Sequence, residues 1–241
     1  MIDFARIFAV LAFLIPLALY TKTLAPTYIP VDSAEFALCF HFWGICHPPG
    51  FPLYILIGKL FTDVFPAASL IYKANLLSAI FGAATILLVY LTLLALRVEK
   101  LTAFLMAILL AVSGVFWEFS TSADVFTFGT FLIALTFWWV FAGKPYLAFL
   151  TLGLSASHFY LSAVLWPVLL WYFWPSFALQ SRASEGKPHF AQGKPHFAPQ
   201  GGASWGKFQK LKGLILSIFV FGLGLAPQAI LFWSMGQFPE I

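Results

Sequence analysis

Tyr146-Leu-Ala-Phe-Leu-Thr-Leu-Gly-Leu-Ser-Ala-Ser-His-Phe-Tyr-Leu-Ser-Ala-Val-Leu-Trp-Pro-Val-Leu-Leu-Trp-Tyr-Phe-Trp174 is an apolar run of 29 residues with His158 near its middle. A bilayer needs about 20 apolar residues per helix and satisfies no backbone group, so the run is helical, as one long span or as two short helices. The choice decides the side of everything that follows. One span would place Arg182, Lys187, Lys194, Lys207, Lys210 and Lys212 opposite Arg97, Lys100 and Lys144, against the tendency of short basic loops to stay inside. Two short helices turning at Ser157-His158 put all of these with Arg6 on the cytoplasmic face. Only Lys22, Lys59 and Lys73 of the 13 basic residues then lie outside, so the charge count favours the turn.

Composition agrees with a membrane protein. The 241 residues are 61% hydrophobic and 9% charged, whereas soluble domains carry charge at about a quarter of positions. The net charge of +4 reports topology before partners, which makes nucleic acid a poor guess. Further apolar runs, Phe4 to Tyr20, Leu70 to Leu96, Leu101 to Phe116, Val125 to Ala142 and Gly213 to Trp233, complete an all-α polytopic transmembrane helix bundle in the cell membrane. The first run lacks a small-x-small cleavage site and reads as a retained helix with a cytoplasmic N-terminus. Residues 1–178 form the core and 179–212 a basic, low-complexity cytoplasmic loop read as disordered. Residues 213–241 form a final span and short outer tail, so the chain reads as minimal or truncated. The loop repeats Gly-Lys-Pro-His-Phe-Ala from Gly186 and Gly193. Its His189 and His196 read as parts of a spacer more readily than as metal ligands.

This topology gathers Asp32, Glu35, Asp63, Glu118, Asp124 and Glu240 outside. The long outer segment from Lys22 to about Ser69 is too apolar for a solvated loop and lies along the membrane surface. Asp32-Ser-Ala-Glu35 opens a short interfacial helix, with two readings of equal weight. Asp32 is its N-cap and Glu35 completes a capping box, or the two carboxylates share a face and address one hydroxyl or cation, one of them as a general base. His47-Pro48-Pro49-Gly50 interrupts the segment, with His47 extended by the following proline. A second helix runs from Phe51 to about Val64, with Pro52 in its first turn. Cys39, His41, Cys46 and His47 match no zinc spacing. Two cysteines are too few for a disulfide framework, and whether they pair is open. Asp124 suits the cap of a helix starting at Val125, and Glu118 reads as a solvated loop residue. His158 pairs with a carboxylate, binds phosphate or simply packs.

Thr27-Tyr-Ile-Pro-Val-Asp32-Ser-Ala-Glu35-Phe, His47-Pro-Pro-Gly-Phe-Pro-Leu-Tyr54 and Asn75-Leu-Leu-Ser-Ala resemble a family of membrane proteins similar to protein O-mannosyltransferases of the glycosyltransferase C superfamily. That family includes the animal enzyme that O-mannosylates plexin-type receptor domains. Ala123-Asp-Val-Phe126 and Gly153-Leu-Ser-Ala-Ser-His158 resemble its later motifs, with Ala34, Asp124 and Phe126 standing where Gly, Glu and Tyr are usual. The likeness covers residues 4 to 178. It implies an inverting glycosyltransferase that moves a mannose-like sugar from a polyprenyl-phosphate carrier to a hydroxyl acceptor, such as protein Ser/Thr, on the outer face. It implies catalytic roles for Asp32, as base, and Glu35, and contacts to carrier or sugar from His47, Asp124 and His158. The donor is its only implied cofactor; no residue is assigned to metal, and divalent-metal dependence is open.

Two other classes compete. A lipid-carrier flippase or transporter would bury ionisable groups near mid-span, and the confident spans contain almost none. A non-catalytic subunit would pack its helices against a complete enzyme.

Overall fold

A computed structural model describes residues 3–29, 32–64, 68–173 and 202–235. Helices α1 (Phe4–Lys22), α2 (Ser33–Phe42), α3 (Pro52–Val64), α4 (Leu70–Ala95), α5 (Lys100–Ala111), α6 (Gly114–Thr121), α7 (Val125–Phe141) and α8 (Pro145–His158) follow one another. They are succeeded by α9 (Tyr160–Phe173), whose first turn is a 3-10 helix, and by α10 (Gly202–Met235). The described residues contain no strand. Phe4–Lys22, Leu70–Ala95 and Lys212–Ile230 are long and apolar enough to cross a membrane, and α5 with α6 makes a fourth candidate bent by 66°.

The 29-residue run is broken as the charge count favours, at Phe159, one residue beyond the Ser157-His158 turn expected from the sequence. Phe159 leaves the helix with φ −125° and ψ 101°, and α9 then folds back along α8. Phe149 and Phe173 have ring centroids 6.2 Å apart, and Phe141 and Tyr172 6.4 Å. In one straight helix Phe149 and Phe173 would stand roughly 36 Å apart. Two short helices therefore replace one span.

α4 is the axis of the bundle. It runs against α1, with the Tyr90 hydroxyl donating to Ala5 O at 3.1 Å, and against α5, which lies beside α1 with Phe8 stacked on Phe104. At the other end of α1, buried Tyr20 donates to Ala111 O at 2.8 Å. α7 runs alongside α4 in the same direction, since Ala123 meets Asn75 at one end and Phe141 shares a cavity with Leu93 at the other. α10 packs on α8 through glycines. A Cβ on Gly153 would run into Phe221 O, and one on Gly224 would meet Gly153 Cα at 2.6 Å, so the absence of side chains brings the two backbones together.

Two boundaries differ from the sequence reading. The third apolar run stops at Ala111 rather than Phe116, because the chain turns at Val112-Ser113 and Ser113 caps the turn by donating to Leu110 O at 2.8 Å. The stretch from Gly202 to Lys212, read as part of a disordered loop, is helical and continuous with the last span. The Gly-Lys-Pro repeats with His189 and His196 lie outside the described residues.

Candidate functional site

Glu35 lies in the first turn of α2 and reaches across twelve residues to His47. Its Oε1 accepts from the His47 amide at 2.6 Å, and its Oε2 accepts from His47 Nδ1 at 2.8 Å. Because Nδ1 holds that proton for the carboxylate, the imidazole orientation is fixed and Nε2 is left for other partners. The capping box, one of the two readings of Asp32-Ser-Ala-Glu35, is not formed. Asp32 holds the N-cap place with φ −108° and ψ −18°, a helical conformation that gives no side-chain cap bond. Ser33 ties the entry instead, accepting from Ile29 N at 2.8 Å and donating to Ile29 O at 2.9 Å. Glu35 is drawn to His47 rather than to the helix start.

The loop carrying His47 is held at both ends. Cys39 of α2 and Cys46 form a disulfide, with both residues buried. They are thus removed as thiolate metal ligands. Trp43 closes α2 in the left-handed region, the Pro48–Pro49 peptide is cis, and Gly50 has φ 90°, a conformation suited to glycine. Phe51 and Tyr54 then sit in an aromatic cluster: Phe36, His47 and His158 all pack edge-on to Phe51 at 5.2 to 5.5 Å. Gly58 of α3 makes room for the Phe40 ring of α2.

Asp124 enters from the α6–α7 turn. As expected it caps α7, its Oδ1 accepting from Phe126 N at 3.1 Å. Fully buried Asn75 of α4 positions this turn, accepting from Ala123 N at 2.7 Å and donating to Ala25 O at 2.9 Å. Ser78, one turn on, accepts from Asp124 N at 3.4 Å and lies 3.5 Å from the Tyr54 hydroxyl. Glu118, by contrast, is exposed on α6. His158 is 1% exposed behind the site. Its Nε2 lies 2.9 Å from Val125 O, a carbonyl that can only accept, so Nε2 carries the proton and Nδ1 is left without a partner. Of the five residues read from the sequence, Asp32, Glu35, His47 and Asp124 converge, while His158 supports the cluster from inside the protein.

Carboxylate charge dominates the group. One carboxylate oxygen each from Asp32 and Glu35 and a ring nitrogen of His47 lie within 4.8 Å of one another. Such a set suits a hydroxyl, and its hard oxygens also suit a divalent cation. Burial opposes ionisation of Glu35, but the bonds and charge of His47 outweigh it and hold the carboxyl below its ordinary 4.5. Asp124 moves the other way. Burial raises it above its ordinary 3.8, backbone amides of Phe126 and Val125 pull it down, and the charge of Asp32 raises it further.

Beside the His-Pro-Pro-Gly loop an apolar cavity of about 750 Å³ opens between α3, α8 and α10, lined by Gly50, Leu53, Leu154, Leu223, Ala226 and Ile230 among others. Gln228 of α10 ties its wall to the loop, donating to Pro49 O at 2.7 Å. Asn75, Ser78 and Gln228 have no assigned role in the sequence reading. Their signal is an amide or hydroxyl within an otherwise apolar span, where an unpaired polar group is costly and so marks a buried partner.

The model of the protein O-mannosyl-transferase TMEM260 N-terminal domain matches residues 32–181. The mouse protein O-mannosyl-transferase TMEM260 is 33% identical over 118 residues, 49% of this chain and 17% of its own length. The protein of the same name from Dictyostelium discoideum is 26% identical over 128 residues, 52% of this chain and 16% of its own. The matched region thus spans about a sixth of these relatives. No solved structure matches the chain. With the paired carboxylates and the His-Pro-Pro-Gly loop inside the matched region, the chain belongs to the family defined by the N-terminal domain of the protein O-mannosyl-transferase TMEM260.

Proposed function

We propose that this end of the bundle transfers a mannose-like sugar from a polyprenyl-phosphate carrier to a hydroxyl of a protein acceptor on the outer face of the membrane. The observation that carries the reading is the convergence of Asp32, Glu35, His47 and Asp124 beside an apolar cavity of about 750 Å³. Asp32 takes the acceptor proton, and the freed oxygen attacks the anomeric carbon. The bond from that carbon to the carrier oxygen breaks with inversion, and its electron pair leaves with the polyprenyl phosphate. Glu35 orients His47 through Nδ1, leaving Nε2 for a phosphate oxygen. Asp124 contacts the sugar, and its raised affinity for a proton favours a hydrogen bond to a sugar hydroxyl over a free charge. His158 holds the Asp124 turn through Val125 rather than touching the carrier. The cavity receives the first isoprene units, where chain burial supplies binding without polar contacts. The Cys39–Cys46 disulfide fits an outward, oxidising side.

The test reconstitutes the chain in liposomes and follows labelled mannose from polyprenyl-phosphate mannose, or from nucleotide mannose, to Ser/Thr peptides. Transfer from the lipid donor alone is expected, with a raised KM for that donor in Ala226→Trp, which fills the cavity. Equal use of the nucleotide sugar, or no transfer, would contradict the proposal.

A further inference from the structure

Asn75 makes two bonds that its own helix does not need. Its side chain joins Ala25, in the outer segment leading to Asp32, to Ala123, the residue before Asp124, across sequence separations of 50 and 48. These two segments also meet directly, the Ala25 amide donating to Thr121 O at 2.9 Å. Asn75 is 0% exposed and its bond from the Ala123 amide is buried, so losing it leaves that amide without a partner, while the part-buried Ala25 carbonyl loses its tie to α4. Its position on α4, the 26-residue axis of the bundle, gives both segments one rigid reference. Ser78 extends that reference one turn further to the Asp124 amide.

We infer that Asn75 is a positioning residue, a clamp on α4 that sets the separation between the Asp32-bearing segment and the Asp124-bearing turn. The role in transfer rests on the proposed function above; the clamp itself does not. A carboxamide carries the donor and the acceptor that this junction needs, one for a carbonyl and one for an N–H. Alanine carries neither. A protonated aspartic acid carries both, and its ionised form only the acceptor.

Hydrogen exchange on the full reconstituted chain tests the clamp without reference to activity. In Asn75→Ala, peptides covering 23–27 and 121–125 are expected to exchange about ten- to a hundredfold faster, with α8 and α10 unchanged. In Asn75→Asp, protection of the same peptides, corrected for intrinsic rates, is expected near the unsubstituted level at pH 5 and lost by pH 8. That reversal within one variant keeps the test informative if Asn75→Ala does not fold, and a simple packing role would not produce it. Unchanged exchange in both peptides, acceleration spread evenly over all helices, or no pH reversal would overturn the clamp. Where the unsubstituted chain transfers sugar, Asn75→Ala is expected to lower kcat with donor KM unchanged. A chain that transfers nothing while the exchange results hold would remove the transferase reading and leave the clamp standing.

Discussion

The two ends of the bundle handle polarity differently. At the end bearing Arg6, Arg97, Lys100 and Lys144, polar side chains satisfy near neighbours: Arg6 pairs with Asp3, and Glu99 caps α5 through Thr102 N. Tyr90 to Ala5 is a long-range bond at this end. At the end bearing Asp32 and Asp124, side chains join segments remote in sequence, including Glu35 to His47, Asn75 to Ala25 and Ala123, His158 to Val125 and Gln228 to Pro49. The first end is built as a solvated surface. The second is built as a site, because long-range bonds in a low-dielectric setting fix geometry that local bonds cannot.

Breaking the wall that supports the site is expected to have the largest effect. Gly153→Leu forces α8 and α10 apart at their backbone contact and carries Gln228 away from Pro49, destabilising the chain by about 3 kcal/mol in detergent unfolding. Cys39→Ser releases the eight-residue loop and costs about 2 kcal/mol by chain entropy, with faster exchange around His47. A change confined to thermal stability, with no exchange change there, would separate the disulfide from the site.

Acid titration sharpens the contrast with a smaller effect. Glu35 is lowered in the fold, so its contribution is present above 4.5 and is lost as pH falls through its folded value. Glu35→Gln should therefore cost under about 1 kcal/mol at pH 7, since the pair is half exposed, and less as pH falls below 4.5. Asp124 is raised, and its contribution is full below 3.8 and lost as pH rises through its folded value. Asp124→Asn should accordingly gain on the unsubstituted chain between pH 4 and pH 7. The smallest effect belongs to the other end, where Arg6→Ala should change stability by less than about 1 kcal/mol. Equal effects at both ends would erase the distinction drawn above.

Much of this architecture is legible in the chain. The existence of a break in the 29-residue run follows from charge counting, though it falls at Phe159 and not at Ser157-His158; the start of α3 follows from Pro52, and the Asp124 cap from its place before an apolar run. The absence of the capping box is not legible, because the Asp32–Glu35 spacing fits a cap and a shared face equally, while a histidine twelve residues away takes Glu35. Asn75 reads in sequence as a polar interruption in an apolar span, and only the fold brings Ala25 and Ala123 to it. The bend after Ala111 is hidden for a related reason: apolarity continues through Phe116, while the turn is closed by the Ser113 amide and hydroxyl, both donating to Leu110 O.

The most direct test of the central claim measures transfer and donor binding together on Asp32→Asn. Transfer is expected to fall by about 10²- to 10⁴-fold, as loss of a general base requires, while retention of labelled polyprenyl-phosphate mannose is unchanged. Transfer that persists at the unsubstituted rate would contradict it and leave Asp32 as a structural residue at the start of α2.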